Sequence, residues 1–314
     1  MPRTGNKWDR RIDRARELAT AYPFSAHVLL FYAKLTAFQK GSYLQLQSSR
    51  GLGNERGTWL PPALDQADLG LLITRWGSFL SMIAGEAPPC LAEFARGLNG
   101  RDSSAGAALL LSFWPGDRGA TTEAGGGVNA PLVGAHTTLP QQRATTRVAP
   151  NSTGEQQPAQ QAEHNHFERF CAQAFLQPYA EFLADLAKVP APPVRRPTCP
   201  YCGSLPVVGA LRQEGDGAKR SLVCSFCRTE WDYLRMACAA CEESSEKNLC
   251  VYTCEAFPHV RVEACDTCRA YIKTIDLTKN GLAVPEVEEL AAIPLTLWAD
   301  EKGYEKVTQN IIGF

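Results

Sequence analysis

The chain has 314 residues, 45% of them apolar, with twelve cysteines and a formal charge of −1. That length accommodates two domains with cores of their own. No run approaches the roughly 18 apolar residues that a membrane span requires, and a near-neutral chain offers no strongly basic surface to a polyanion.

The first half reads as helices. Trp8, Ile12, Ala15 and Ala19 recur at helical steps until Pro23 stops the run. Phe24, His27, Leu30, Phe31, Leu35 and Phe38 predict a second helix, and Leu69, Leu72, Ile73, Trp76, Phe79, Leu80 and Ile83 a third. Pro88 and Pro89 start a fourth, carrying Cys90, Leu91, Phe94 and Leu98, and Ala108 to Trp114 is a short fifth. Residues 115–162 hold no aromatic side chain and are rich in Gly, Thr, Gln and Pro. Such a segment buries too little to offset its ordering entropy, so it reads as a flexible insertion. Phe167, Phe170, Ala174, Phe175, Tyr179, Phe182 and Leu186 predict a long sixth helix, with Pro178 inside it as a kink. The helical domain is thus read as 1–190, and the proline-rich stretch 191–198 as a stiff linker.

The next 70 residues carry the specific signal. Four Cys-x-x-Cys pairs stand at Cys199/Cys202, Cys224/Cys227, Cys238/Cys241 and Cys265/Cys268, separated by 21, 10 and 23 residues. Two cysteines three apart can aim both sulfurs at one ion from a tight turn, and two such knuckles make a tetrahedral S4 site for zinc or iron. Gly203 follows the first knuckle, where the chain must turn back with positive φ. The halves repeat each other. Arg220, Cys224, Cys227 and Arg228 lead into Trp231 and Tyr233; Arg261, Cys265, Cys268 and Arg269 lead into Tyr271 and Ile272. The repeat pairs 199/202 with 224/227 and 238/241 with 265/268. It predicts two tandem zinc-ribbon-like modules, 199–237 and 238–282, with two metal ions, iron or zinc, held by the eight thiolates.

Disulfides are the competing use of so many cysteines. Met1 to Arg16 is highly charged and lacks an apolar signal core, which predicts a reducing cytoplasm instead. Residues 199–278 hold nine Lys and Arg against eleven Asp and Glu, a net charge of −2 before any thiolate is counted. This argues against nucleic acid as the partner. Two filled S4 sites leave no open coordination position, so no enzymatic activity is expected. Cys90 and Cys171 read as small core residues, Cys250 and Cys254 as core or edge residues on one face of a strand. His259 reads as a surface histidine, not a fifth ligand, and a surface role is also read for His136, His164 and His166. Past Gly281, residues 283–314 read as a final helix over Val287, Leu290, Leu295 and Trp298, then a tail. The fold class is α+β: an N-terminal helical domain, two four-cysteine modules and a C-terminal helix.

These residues resemble a known family. Cys199-Pro200-Tyr201-Cys202-Gly203, the run from Leu222 to Thr229-Glu230-Trp231, Cys238-Ala239-Ala240-Cys241, and Glu263 to Lys273 look like the formate dehydrogenase accessory protein FdhE. Arg14 to Pro23, Leu29 to Gln39, Gly303-Tyr304 and Asn310 resemble the ends of that family. The chain departs from it at the 115–162 insertion, at Cys250 and Cys254, and at Ile311, where the family commonly has proline. The resemblance implies a non-catalytic, chaperone-like maturation factor in the cytoplasm. Its partner would be the catalytic subunit of a molybdenum- or tungsten-dependent formate dehydrogenase. It also implies rubredoxin-like sites ligated by the eight thiols, with iron as one occupant and Thr229, Glu230 and Trp231 beside the first site. An interaction scaffold with a different client is the alternative. Oligomeric state is not legible.

Overall fold

The computed structural model describes residues 6–50, 64, 66–100, 103–114, 156–187 and 196–313. Helix α1 (Lys7–Ala21) starts where the Asn6 side chain accepts from the amides of Trp8 and Asp9, at 2.9 and 3.2 Å. It buries Trp8, Ile12, Ala15, Leu18 and Ala19. Pro23 opens a short 3-10 turn that reverses the chain into α2 (Ala26–Arg50), which carries the expected Leu30, Phe31, Leu35 and Phe38 and continues to Arg50. The predicted third helix is two: α3 (Gln66–Ile73) and α4 (Trp76–Glu86). The break is local. The Arg75 amide bonds back only three residues, to Leu72, and its guanidinium is taken by Gln45 and the face of Phe38. No proline or glycine marks it in the sequence. Then come α5 (Pro89–Asn99), α6 (Ser103–Phe113) and α7 (Gln156–Ala187).

Of the expected insertion, residues 115–155 lie outside the described residues, as do 188–195 of the expected linker region and His136. Residues 156–162 are instead the first turns of α7. Gln and Ala are good helix formers, and Pro158 falls in the first turn, where its missing N–H costs nothing. Pro178 sits inside α7 and leaves the Ala174 carbonyl without its helical donor. Gln39 Nε2, from α2, donates to that carbonyl at 2.7 Å.

The second half is one sheet. Strands β1 (Pro206–Glu214), β2 (Gly217–Cys224) and β3 (Glu230–Asp232) form the first ribbon. The second holds β4 (Leu249–Cys254), β5 (Phe257–Cys265) and β6 (Ala270–Asp276). Their order is β3-β2-β1-β6-β5-β4, and β7 (Glu305–Lys306) also pairs with β6. The tandem modules are fused by the parallel pairing of β1 with β6, Gly209 opposite Thr274. A Cβ at Gly209 would lie 2.4 Å from Thr274 Oγ1, so only glycine lets the strands approach there.

The expected C-terminal helix is also split, into α8 (Pro285–Ala291) and α9 (Ile293–Glu301). Pro294 cannot donate to the Leu290 carbonyl, so the chain bends at Ala292. Helix α8 is wedged between α1, α2 and the sheet. Val287, Leu290 and Ala291 join Ile12, Leu18, Leu29 and Tyr32 in one buried cluster. A larger cluster runs from Leu35, Trp76, Phe79, Phe175 and Tyr179 of the helices into Tyr201, Leu222, Phe226 and Trp231 of the first ribbon. Each large side chain so buried contributes about 1.5–3 kcal/mol, and these make helices and sheet one body.

Candidate metal centres

The eight thiols gather into two groups. Cys199, Cys202, Cys224 and Cys227 form one, Cys238, Cys241, Cys265 and Cys268 the other, and within each group the sulfurs lie within 4.8 Å of one another. In the first, Cys199 and Cys227 are 3.6 Å apart and Cys202 and Cys224 3.4 Å. In the second, the corresponding pairs stand at 3.6 and 3.8 Å. An ion with metal–sulfur bonds of about 2.3 Å in a tetrahedron sets its sulfurs about 3.8 Å apart. Four thiolates and no competing hard ligand fit zinc or a single iron.

Each knuckle is built the same way. The residue after the second cysteine has positive φ every time: Gly203 at 73°, Arg228 at 56°, Glu242 at 63° and Arg269 at 61°. Three are not glycine, and among the described residues they are the non-glycine residues with positive φ. Backbone bonds close the turns, Gly203 N to Cys199 O at 3.0 Å, Glu242 N to Cys238 O at 3.2 Å and Arg269 N to Cys265 O at 2.8 Å. Amides then face sulfur. Phe226 and Cys227 donate to Cys224 Sγ at 3.3 and 3.4 Å, and Ala240 to Cys238 Sγ at 3.3 Å. Such donors soften thiolate charge before any ion neutralises it.

The groups differ in burial. All four cysteines of the first are buried, whereas Cys241 and Cys268 of the second are exposed. Burial pushes the Cys224 and Cys227 thiols well up, while hydrogen bonds from Cys199, Cys224 and Cys227 hold Cys202 well below the usual range. Several buried thiolates at van der Waals distance require a cation to ionise together. In the second group, burial pushes Cys238 up to about 11.

The first group is roofed by the helical layer. Trp114 meets Phe226 edge-on at 5.8 Å. Gln39 Nε2 donates to Gln177 Oε1 at 3.1 Å, and Gln177 Nε2 donates to the Phe226 carbonyl inside the knuckle at 3.2 Å. The sequence reading missed both glutamines; their one signal is a polar residue on an otherwise apolar stripe. Beside the knuckle, Thr229 Oγ1 lies 3.1 Å from Cys227 Sγ, Glu230 takes Arg212 through two bonds of 2.9 and 2.8 Å, and Trp231 Nε1 donates to the Arg196 carbonyl.

Other expected positions divide. Cys171 is buried, its thiol pushed up to about 12, but Cys90 is exposed, because it lies off the α5 face that buries Leu91, Ala92, Ala95 and Leu98. Cys250 and Cys254 lie on β4 at the sheet edge, partly exposed. A register shift between Thr253 and Cys254 breaks the period-2 relation that would put them on one face. Cys254 packs on the second apolar cluster, while Cys250 Sγ meets Asp266 at 3.4 Å. His259 is not on the surface. It is buried with Nε2 2.9 Å from Glu288, whose other oxygen accepts from Arg14 at 2.6 Å. Helix α8 covers it, which its own strand could not reveal. His164 pairs with Glu168 on α7, and His166 lies against Gly313 of the tail.

Comparison with known proteins agrees with this arrangement. Residues 198–235 match the family description FdhE, central domain, and residues 236–312 match FdhE, C-terminal domain. A Protein FdhE homolog of Aquifex aeolicus is 37% identical over 148 residues, spanning 46% of this chain and 52% of that protein. One from Pseudomonas aeruginosa is 34% identical over 122 residues, 37% of this chain and 40% of that protein. The chain thus aligns with about half or less of the curated relatives' length. The crystal structure of the FdhE protein from Pseudomonas aeruginosa superposes with a TM-score of 0.60 at 22% identity, covering 98% of this chain and 95% of that one. At that identity the likeness is one of fold.

Proposed function

This chain belongs to the FdhE family, and from that premise we propose that it is a cytoplasmic maturation factor for a formate dehydrogenase. It binds the catalytic subunit and performs no chemistry on it. The observation that carries this is the pair of four-sulfur clusters within the matched region, each complete in itself. A cluster whose four positions are all protein thiolates can hold zinc or iron but offers no site to a substrate. When bound, the ion would tie together two knuckles set at separate turns of one ribbon. The chain's own residues do the rest. Strands β1 to β6 form the shared platform, α8 pins it to α1 and α2, and the helical layer presents a second wall toward a client. Among the described residues, no helix is long and apolar enough to cross a membrane.

The test is direct. Deleting the gene should abolish formate dehydrogenase activity while leaving the catalytic subunit synthesised, and the tagged chain should retain that subunit on affinity purification. Full activity in the deletion strain, with no subunit captured, rules the proposal out. Anaerobic purification with metal analysis and EPR identifies the ion.

A further inference from the structure

We propose that the first ribbon builds the second metal centre, with Arg220 and Tyr233 as its positioning residues. The proposal rests on the reading that both clusters hold metal. The chain enters Cys238 through Leu234 to Ala237; Ala237 packs into the core, but Leu234 to Met236 face solvent. Leu234 and Met236 are 44% and 43% exposed, and Arg235 is exposed as well. Beneath it lies a cavity of about 140 Å³ walled by Met236, Ala237, Cys238, Cys265 and Arg220.

Hydrogen bonds hold the segment, and they come from the first ribbon. Arg220 sits on β2, four residues before Cys224, with its side chain 1% exposed. Its Nη1 donates to the carbonyls of Leu234 and Ala237, at 2.9 and 3.0 Å. Tyr233 Oη donates to the carbonyl of Cys238 itself at 2.8 Å, and the Arg220 guanidinium lies 5.3 Å from the Tyr233 ring. Arg220 Nη2 reaches Glu263 Oε2 at 2.5 Å, on β5 two residues before Cys265. One buried guanidinium therefore grips the approach to both knuckles of the second cluster. A planar fork can serve two carbonyls and a carboxylate at once; a lysine ammonium cannot keep that geometry. Partners that orient metal ligands from behind commonly change affinity by about 10–100-fold when lost.

The experiment uses the full chain loaded with zinc, with release to a chromogenic chelator and cobalt absorption as readouts. Wild type should bind two ions. Tyr233→Phe and Arg220→Lys should each weaken one ion roughly 10–100-fold and leave the other unchanged. In a Cys268→Ser background, where only the first cluster is complete, Tyr233→Phe should have no effect on the remaining ion. If Arg220→Lys does not fold, Tyr233→Phe, which removes a single oxygen, decides alone. The proposal is overturned if Tyr233→Phe binds both ions with wild-type affinity, or weakens both equally. A wild-type chain that binds no metal overturns the underlying reading of the clusters instead.

Discussion

The two cysteine clusters share their spacing and their turns, yet they stand in different surroundings. The first is sealed under α7, with Gln177 and Trp114 against its knuckle. The second stands outside the core around the first, with Cys241 and Cys268 open to solvent. Identical local chemistry therefore serves two ends. The first cluster is part of the core that joins helices to sheet. The second is the one that solvent, oxidants and a partner can reach.

Breaking one cluster at a time makes that difference measurable. Cys224→Ser should cost the most. Its cluster lies in the core that joins ribbon to helices, and a structural zinc ion of the kind proposed there supplies about 10–16 kcal/mol of folding energy in small domains. Loss of a cooperative thermal transition is expected, whereas Cys268→Ser should keep the transition and lose one ion. Alkylation followed by mass spectrometry should label Cys241 and Cys268 before the first-cluster thiols in metal-free protein. Labelling in the opposite order would contradict the comparison.

The platform that both clusters share comes next. Lys273 on β6 is fully buried 2.9 Å from Glu289 of α8, and Lys306 also pairs with Glu289. Burial pushes the Glu289 carboxyl up, but Lys273 and Lys306 outweigh it and hold the group down to about 2. The folded value is below the unfolded one, so this stabilisation is fully present above pH ~4.5 and is lost as pH falls toward ~2. Glu289→Gln should destabilise by about 3–5 kcal/mol at neutral pH, because it strands a buried ammonium. Its effect on melting should fall on both clusters together, unlike either cysteine change.

A smaller loss should separate them again. Gln177→Ala leaves the Phe226 carbonyl without its donor, at about 1–3 kcal/mol. It should speed metal release from the first cluster only. Smallest are the turn residues. Gly203→Ala meets no neighbour within 4 Å, so its cost is the left-handed backbone alone, roughly 1–2 kcal/mol. Arg228→Gly relieves the same strain and should gain up to about 1 kcal/mol. Chemical denaturation monitored by metal content resolves both.

How much of this was legible depends on the range of the interaction. Helices α1 and α5 were readable because each buries a stripe at its own period, and Pro23 stops α1; α7 was readable from its large apolar residues, although it is buried on nearly every side over 170–183. The break at Arg75 was not. Gln45 and Phe38 impose that break from another helix, and the residues at the break are ordinary helix residues. His259 was misread for the same reason: its strand is local, its cover is α8. The cluster membership was legible because the repeat pairs each long interval with its own two knuckles.

By itself, the sequence determined the knuckles, their grouping and the class of ion they suit. Those follow from spacing within a few residues and from the chemistry of sulfur. Only the tertiary structure decided that the two ribbons share one sheet, that Gly209 is where they meet, that one cluster is sealed and the other open, and that Arg220 and Tyr233 reach across to the second. Each of those depends on which surfaces bury one another, and burial joins residues that no local pattern relates.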